Sequence, residues 1–566
     1  MKASYSFLFL LLFISFFTRI LFLDSIPQGM YRDEVSVGYN AYSIIKTGKD
    51  EFDRNFPFIF EALGDYKLPV IIYLTAPFVF LFGLTDFWVR FPTALIGSLT
   101  PFALFLLTKK LFDKRIAMFS AISLAISPWH ILFSRSVNES VISVFTSILG
   151  IYFLILLFNK WQIKNLILSL LFQVLSVFSY RTQFIFAPLM VLSVTVILFS
   201  SSSIKWNLRQ KKLAAIGLAS FLVILFVTIY SAGITRVKDI GLISSPEIKL
   251  ILEEQIREDK GTLPFVTRAY HNKIINFAVT LAGNYVSHFD PGYLFFTGDK
   301  KSSNNSTPFM GHLLFIDLPF VLIGIYFLIR KDLNRSSTVL FSWLILGPLA
   351  SSLTVDSPSS LRNLISIVPW AMVIGFGVSK FLDLTSKFKK LKPVLISLLL
   401  LFVAYNFVFF LHQFFIHKTV NKPWSRDVGL KEVAYFAKSV EGNFEKITFA
   451  QYPDLYIFLL YYQKIDPSFI QKRQENRVFT DRKKEIINLI NPRFFLMEKD
   501  CALEGESRQV YVCIKDRIPK GVNVLKSIRY ADNQPIFTFL EFAPLSDSNN
   551  WQFPHGFSEY TENILY

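Results

Sequence analysis

The sequence predicts a mainly α-helical, polytopic membrane bundle of about eleven transmembrane helices, with a small extracytoplasmic α/β domain at its C-terminal end. Three observations predict it. Hydrophobic residues make up 52% and aromatic residues 16% of the 566-residue chain, mean hydropathy is +0.42, and the apolar residues gather in runs near the length of roughly 20 that a hydrocarbon core demands. The basic residues behind the formal charge of +17 stand in short clusters between those runs, as cytoplasmic loops do. That placement argues against nucleic acid as a partner, which a basic stripe on a soluble domain would signal. The apolar character then ends near residue 412, and a polar segment follows.

Each span follows from an apolar run and the charges that flank it. Lys2 starts inside. The run Tyr5–Leu23 is long and lacks a small-x-small cleavage site, so it reads as a first membrane helix rather than a signal peptide. It delivers the chain outside to a mildly acidic loop, 24–90. Within this loop Leu68–Phe82 is short and carries Pro69 and Pro77, so it reads as interfacial or re-entrant. Phe91–Thr108 returns to Lys109, Lys110, Lys114 and Arg115; Ile116–Phe133 exits, and Val141–Phe158 returns to Lys160 and Lys164. Leu166–Tyr180 exits, Phe184–Phe199 returns to Lys205, Arg209, Lys211 and Lys212, and Leu213–Tyr230 exits into a large outer loop, 231–312. Leu313–Ile329 returns to Arg330, Lys331 and Arg335, and Val339–Leu353 exits. Leu364–Val378 returns to a lysine-rich loop, and Val394–Leu411 is the last exit. Every expected inner loop is basic, which places the N-terminus in the cytoplasm and the C-terminus outside a plasma (cytoplasmic) membrane.

Two regions carry structure of their own. The large loop holds Ser245-Pro246-Glu247, a helix start, followed by Ile248, Ile251, Leu252 and Ile256 on one face, which suits a membrane surface. Residues 1–412 form the membrane domain and 413–566 the outer domain. In the latter Leu430–Val440 reads as a helix, and Lys446–Ala450 and Gln509–Cys513 read as strands. Cys501 and Cys513 are the only cysteines; in an oxidising compartment they either pair or stay as two structural thiols. The sequons at Asn138, Asn304 and Asn305 read as chance matches.

The first outer loop contains Tyr31-Arg32-Asp33-Glu34, two adjacent carboxylates beside an arginine. Such a pair is ordinarily a solvated loop, so the weight comes from its neighbours. Lys67, Arg90, Arg135, Glu139, Arg181 and Arg362 also fall on the outer side or at outer helix ends, although Arg90, Arg135 and Arg181 taken singly read as snorkelling or anchoring side chains. One base with several cations at a membrane surface suits transfer of a sugar from a lipid-linked phosphate. The phosphate leaving group needs no general acid, a carboxylate takes the acceptor hydroxyl's proton, and Lys or Arg offsets charge on the phosphate.

The order Arg32-Asp33-Glu34, Tyr66-Lys67-Leu68-Pro69, Val89-Arg90-Phe91-Pro92 and Lys110-Leu111-Phe112 resembles the GT-C glycosyltransferases, above all the protein O-mannosyltransferases and the bacterial lipid A aminoarabinose transferases. Ser127-Pro128-Trp129-His130 with Arg135 and Glu139 adds to it, as does His288-Phe289-Asp290-Pro291 with Phe295-Phe296-Thr297-Gly298-Asp299. The resemblance covers about residues 1–380. It implies Asp33 as the catalytic carboxylate with Glu34 beside it, and a dolichyl- or undecaprenyl-phosphate sugar as donor. With it, Arg32, Lys67, Arg90, Arg135, Glu139, Arg181, His288 and Arg362 become the candidate residues for lipid phosphate or sugar. The chain departs from the family in having Lys-Leu-Pro where Pro-Pro is common and Glu139 where aspartate is usual. No cofactor is firmly implied; a divalent metal ion on Glu139 and His288 stands beside a plain hydrogen-bonded loop histidine as the alternative. The partners implied are the bilayer, the lipid-linked donor, and a protein, lipid or glycan acceptor.

Two other classes compete. A transporter or flippase of a lipid-linked sugar intermediate would carry ionisable or helix-breaking residues near the midplane, often in matched halves, and neither pattern stands out. A binding scaffold built on the C-terminal domain leaves the first-loop charges unexplained.

Overall fold

The structure, a computed structural model, describes residues 2–542 apart from 201–205, 231–240, 243–245, 260, 331–333, 472–486, 489, 503, 515–517 and 520. The first ten helices are α1 (Lys2–Ile20), α2 (Arg32–Thr47), α3 (Val70–Phe82), α4 (Asp86–Leu111), α5 (Lys114–Ala125), α6 (Pro128–Ser134), α7 (Glu139–Asn159), α8 (Ile163–Val177), α9 (Gln183–Ser200) and α10 (Leu208–Thr228). A hairpin of β1 (Phe60–Ala62) and β2 (Asp65–Lys67) lies between α2 and α3.

The chain is a multi-pass membrane protein. Among the described residues six helices are long and apolar enough to cross a bilayer: α4, α7, α9, α10, Leu364–Thr385 and Lys392–Val420. The bent pair α5–α6 supplies a seventh crossing if taken as one span. The other runs form shorter helices for local reasons. The run expected at Val339–Leu353 is divided at Gly347-Pro348 into Arg335–Leu346 and Leu349–Ser352, because proline lacks an N–H and its ring crowds the preceding turn. The run expected from Leu313 turns helical only at Asp317, whose carboxylate accepts from the Leu314 N–H at 3.0 Å. Ile116–Phe133 is one apolar run but two helices meeting at 55°, with Pro128 in the opening turn of the second. Helix α3 has 13 residues and contains Pro77; at 1.5 Å per residue it reaches about 20 Å, short of a core about 30 Å thick.

Small residues let the bundle close. A Cβ on Gly377 would lie 1.9 Å from the Phe320 carbonyl oxygen, and one on Gly375 would lie 2.3 Å from Ser120 Oγ. The Ile367–Thr385 helix therefore touches both the Asp317–Arg330 helix and α5 backbone to backbone. In the large loop the helices are Pro246–Glu258, Pro264–Tyr270 and Lys273–Ser287; Ile248 is buried, while Ile251 and Ile256 are exposed. Ser245, part of the expected helix start, and the expected inner-loop residues Lys205 and Lys331 lie outside the described residues.

The chain forms two compact units, Met1–Arg426 and Asp427–Tyr566; the boundary expected at 412 falls at the end of the Lys392–His412 helix, inside the first. The second unit is a five-stranded mixed sheet in the order β4-β3-β5-β7-β6, with β3 (Lys446–Ala450), β4 (Phe494–Met497), β5 (Gln509–Ile514), β6 (Val522–Arg529) and β7 (Pro535–Phe542). Strand β3 runs parallel to β4 and β5, and β7 pairs antiparallel with β5 and β6. The Leu430–Val440 helix buries Leu430, Val433, Ala434 and Ala437, an apolar face at helical spacing. Cys501 and Cys513 form a disulfide.

Candidate active site

Segments distant in sequence converge on one cavity of about 500 Å³. Asp33 stands on the first turn of α2, its side chain 52% exposed. The hairpin turn Leu63-Gly64 uses two positive φ values, 56° and 82°, the geometry a two-residue hairpin favours. It returns the chain as β2, where the period of two places Asp65 and Lys67 on one face. Lys67 Nζ donates to Asp33 Oδ1 at 2.5 Å. Arg181, just past α8, grips Asp65 with Nη1 and Nη2 at 3.2 and 3.0 Å and also donates to the Tyr66 carbonyl. Glu139 opens α7. Arg362 donates to Thr354 Oγ1 and Asp356 Oδ2, each at 3.2 Å. Asp33, Asp65, Lys67, Glu139, Arg181 and Arg362 line the polar part of the cavity, and Phe184, Ile185, Ile229, Leu353 and Leu361 line an apolar part.

Charge in the cavity is held in matched pairs. Burial of Lys67 works against its charge, but Asp33, Glu139 and Asp65 outweigh it and hold the ammonium above its ordinary pKa. Lys67 therefore stays cationic throughout the physiological range.

The structure separates Glu34 from Asp33. Glu34 is 2% exposed and is not among the cavity's lining residues. Its Oε1 accepts from Arg90 Nε at 3.0 Å and the Val137 N–H at 2.9 Å. Its Oε2 accepts from the Tyr31 N–H at 2.9 Å, Arg90 Nη2 at 3.1 Å and Arg426 Nη2 at 2.5 Å. Burial alone would raise its pKa, yet Arg90 and Arg426 with these hydrogen bonds bring it below the ordinary value. A carboxylate so saturated is a clamp between loops.

Two further arginines from the sequence reading serve backbone carbonyls at the end of α1 and in the segment after it. Arg90 is fully buried and, besides Glu34, donates from Nη1 to the carbonyls of Leu23 and Pro27 at 3.0 and 3.1 Å and from Nη2 to that of Gly29 at 2.5 Å. Arg135 is fully buried and donates to the carbonyls of Thr18 (2.8 Å), Leu21 (2.5 Å), Phe22 (3.2 Å) and Ile26 (2.9 Å). The last carbonyls of a helix have no partner within it, and in a bilayer such groups must be satisfied internally. Neither arginine lines the cavity. Arg32 also lies off it, its guanidinium 5.6 Å from the Tyr31 ring centroid.

His288 is 1% exposed, with Nδ1 2.8 Å from the Asn284 carbonyl oxygen and Nε2 2.8 Å from Ser351 Oγ. Burial pulls its pKa down to about 4. Glu139 lines the cavity and His288 does not, and among the described residues no group of three or more His, Cys, Asp or Glu could hold a metal ion. Asp299 ties loops together, accepting from the Lys301 and Ser302 N–H groups at 3.0 Å and from Ser360 N and Oγ at 3.1 Å.

Comparison with known proteins bears on this arrangement. A family model described as dolichyl-phosphate-mannose-protein mannosyltransferase matches residues 67–230. The structure is similar to that of ArnT from Cupriavidus metallidurans at 12% identity and a TM-score of 0.51, covering 95% of this chain and 98% of that one. The chain shares the fold of that protein. ArnT has also been solved bound to undecaprenyl phosphate, with the same coverage and TM-score. The oligosaccharyltransferase of Archaeoglobus fulgidus is similar at 14% identity and a TM-score of 0.50 over 81% of this chain. This chain spans only 61% of that archaeal chain's length. No curated protein matches.

The sequence reading named Lys67, Glu139, Arg181 and Arg362 on the evidence of sidedness, and they share the cavity with Asp33. It gave no site role to Asp65, Tyr66, Asn138, Tyr180 or Thr354, which also line the cavity, or to Arg426, which reaches Glu34. Asp65 had a readable signal, two positions before Lys67 in a strand-like tripeptide. Arg426 had none, being 392 residues from its partner.

Proposed function

We propose that this chain is a membrane glycosyltransferase that moves a sugar from a polyprenyl-phosphate donor to an acceptor hydroxyl at the extracytoplasmic face, with Asp33 as general base. The observation that carries the reading is the Asp33–Lys67 contact in a cavity that also holds Arg181 and Arg362 and an apolar part lined by Phe184, Ile185, Ile229, Leu353 and Leu361. A lipid-linked phosphate sugar needs that combination: cations for the phosphate, an apolar exit for the chain, and a carboxylate for the attacking hydroxyl. The basic clusters Lys109–Arg115, Arg209–Lys212 and Lys387–Lys392 support a cytoplasmic position for the opposite end of the bundle.

In the reaction the acceptor oxygen bonds to the anomeric carbon while the bond from that carbon to the phosphate oxygen breaks. The hydroxyl proton passes to an Asp33 carboxylate oxygen, and the bonding pair leaves with the polyprenyl phosphate. The charge growing on that phosphate falls to Lys67, Arg181 and Arg362. Each of these cations is held on a carboxylate of its own, Asp33, Asp65 and Asp356 respectively, an arrangement a donor phosphate replaces with little change of geometry. When phosphate draws Lys67 away, Asp33 is left free to accept a proton.

The test is transfer of labelled sugar from a polyprenyl-phosphate sugar by purified protein, wild type against Asp33→Asn. Loss of transfer with retained donor binding is expected. Transfer at the wild-type rate removes Asp33 from the chemistry.

A further inference from the structure

The cavity lining draws two of its walls from parts of the first unit nearly 300 residues apart. One is the first loop with Asp33, Asp65 and Lys67; the other is the 350–362 segment with Thr354, Leu361 and Arg362. If the base stands on one wall and a phosphate cation on the other, the reaction depends on their separation. A reacting pair misplaced by 1 Å can lose roughly 10²-fold in rate.

The end of the last long helix and the turn after it touch both walls. Lys418 Nζ donates to the carbonyls of Ser303, Asn304 and Ser306 at 2.5, 3.2 and 2.5 Å. Asn304 Nδ2 donates to the Ser425 carbonyl. That same 303–306 loop is fastened to the second wall: Ser306 Oγ donates to the Asp299 carbonyl at 2.8 Å, Ser360 Oγ donates to the Asn305 carbonyl at 2.9 Å, and Asp299 Oδ2 accepts from Ser360 N at 3.1 Å. Ser360 leads directly into Leu361 and Arg362. The next residue of the stretch, Arg426, donates to Glu34 on the first wall. Glu34 adjoins Asp33 in the chain, and its other acceptor oxygen holds the Val137 N–H, two residues before Glu139.

We propose that residues 418–426 form a brace that sets the distance between the two walls, with Arg426 a positioning residue that acts on Asp33 through Glu34. The inference rests on the reading of Asp33 as the base. Arg426 itself does not line the cavity and touches no reacting atom. Its side chain is 11% exposed and that of Glu34 is 3% exposed, so the contact is shielded from solvent screening. The brace holds the base side by an ion pair and the Arg362 side by carbonyl contacts, so the two anchors can be loosened separately.

The test uses full-length protein in detergent with a polyprenyl-phosphate sugar donor. Arg426→Gln is expected to lower kcat roughly 10²-fold, with a smaller rise in KM for the donor, because Lys67 and Arg362 stand on different walls. Arg426→Lys keeps a charged donor and is expected to recover most of kcat. Asn304→Ala loosens the other anchor without disturbing a buried charge and is expected to lower kcat several-fold. An unchanged kcat in Arg426→Gln overturns the brace, and so does a loss in Arg426→Lys as deep as that in Arg426→Gln. If Arg426→Gln does not fold, an unchanged kcat in Asn304→Ala overturns it. Asp33→Asn run in parallel separates the two claims: a fully active Asp33→Asn defeats the base assignment, whereas an inactive Asp33→Asn beside fully active Arg426→Gln and Asn304→Ala defeats the brace alone.

Discussion

Replacing Glu34 with glutamine changes no volume and removes one charge, and the structure sets the cost. The carboxylate accepts five hydrogen bonds, two on Oε1 and three on Oε2. An amide keeps one oxygen and turns the other into a donor. If the oxygen takes the Oε2 position, Arg90 Nε and the Val137 N–H face an N–H group; if it takes the Oε1 position, Tyr31 N, Arg90 Nη2 and Arg426 Nη2 do. Either way at least two buried donors lose their acceptor, each at about 1–3 kcal/mol, and two guanidiniums lose their counter-charge. Removing one partner of a buried ion pair costs about 3–5 kcal/mol. We expect Glu34→Gln to lower the unfolding midpoint of the detergent-solubilised protein by several degrees, followed by tryptophan fluorescence, and to reduce transfer. Glu34→Asp keeps the charge and is expected to lose less. A Glu34→Gln protein with the wild-type midpoint and rate would show that the five contacts do not hold the first loop, and the clamp argument would fail.

Three further outcomes are expected. Lys67→Met removes a cation from the cavity and is expected to lower kcat/KM by about 2–4 kcal/mol, roughly 30- to 10³-fold, in the sugar-transfer assay, with Lys67→Arg less impaired; an undiminished Lys67→Met excludes Lys67 from phosphate contact. Glu51 is fully buried, hydrogen-bonded to Asn40 at 3.0 Å, and pushed up to about 8 by burial. A carboxyl whose folded pKa exceeds its ordinary 4.5 gives stability that is complete below that value and lost as pH rises towards 8. The unfolding midpoint should fall across this window, and Glu51→Gln should flatten the fall. The Cys501–Cys513 disulfide closes a sequence separation of 12, worth about 3 kcal/mol in a loop of that size; replacing both cysteines with serine should expose the second unit to limited proteolysis at lower temperature.

The apolar runs and the C-terminal elements were legible because periodicity and length are local. Leu430–Val440 and Lys446–Ala450 are read from the sequence at the bounds the structure gives. Helix breaks were less legible, since hydropathy does not register a single proline: Gly347-Pro348 and Ser127-Pro128 each divide a continuous apolar run. Within the site, sidedness groups residues by membrane face but not by depth. Asp33 and Glu34 are neighbours in sequence and share a helical turn, where successive side chains diverge. One faces the cavity, half exposed, and the other is sealed beneath five donors.

The same limit explains the arginines. Arg90, Arg135, Arg181 and Arg362 all stand near outer helix ends in the sequence, yet the structure sorts them by what they meet. Arg135 meets four carbonyl oxygens from the end of α1 and the turn beyond it, and Arg90 meets three carbonyls of the 23–29 segment together with Glu34. Arg135 caps carbonyls at the end of α1, and Arg90 is sealed among loop carbonyls and Glu34, so both guanidiniums are committed. Arg181 and Arg362 meet Asp65 and Asp356, side chains 29% and 59% exposed that can turn aside. A cation paired with a mobile carboxylate can exchange it for another anion, whereas one sealed among backbone carbonyls cannot. Sequence position gives all four arginines the same address, and only the partner decides which of them are available to a ligand.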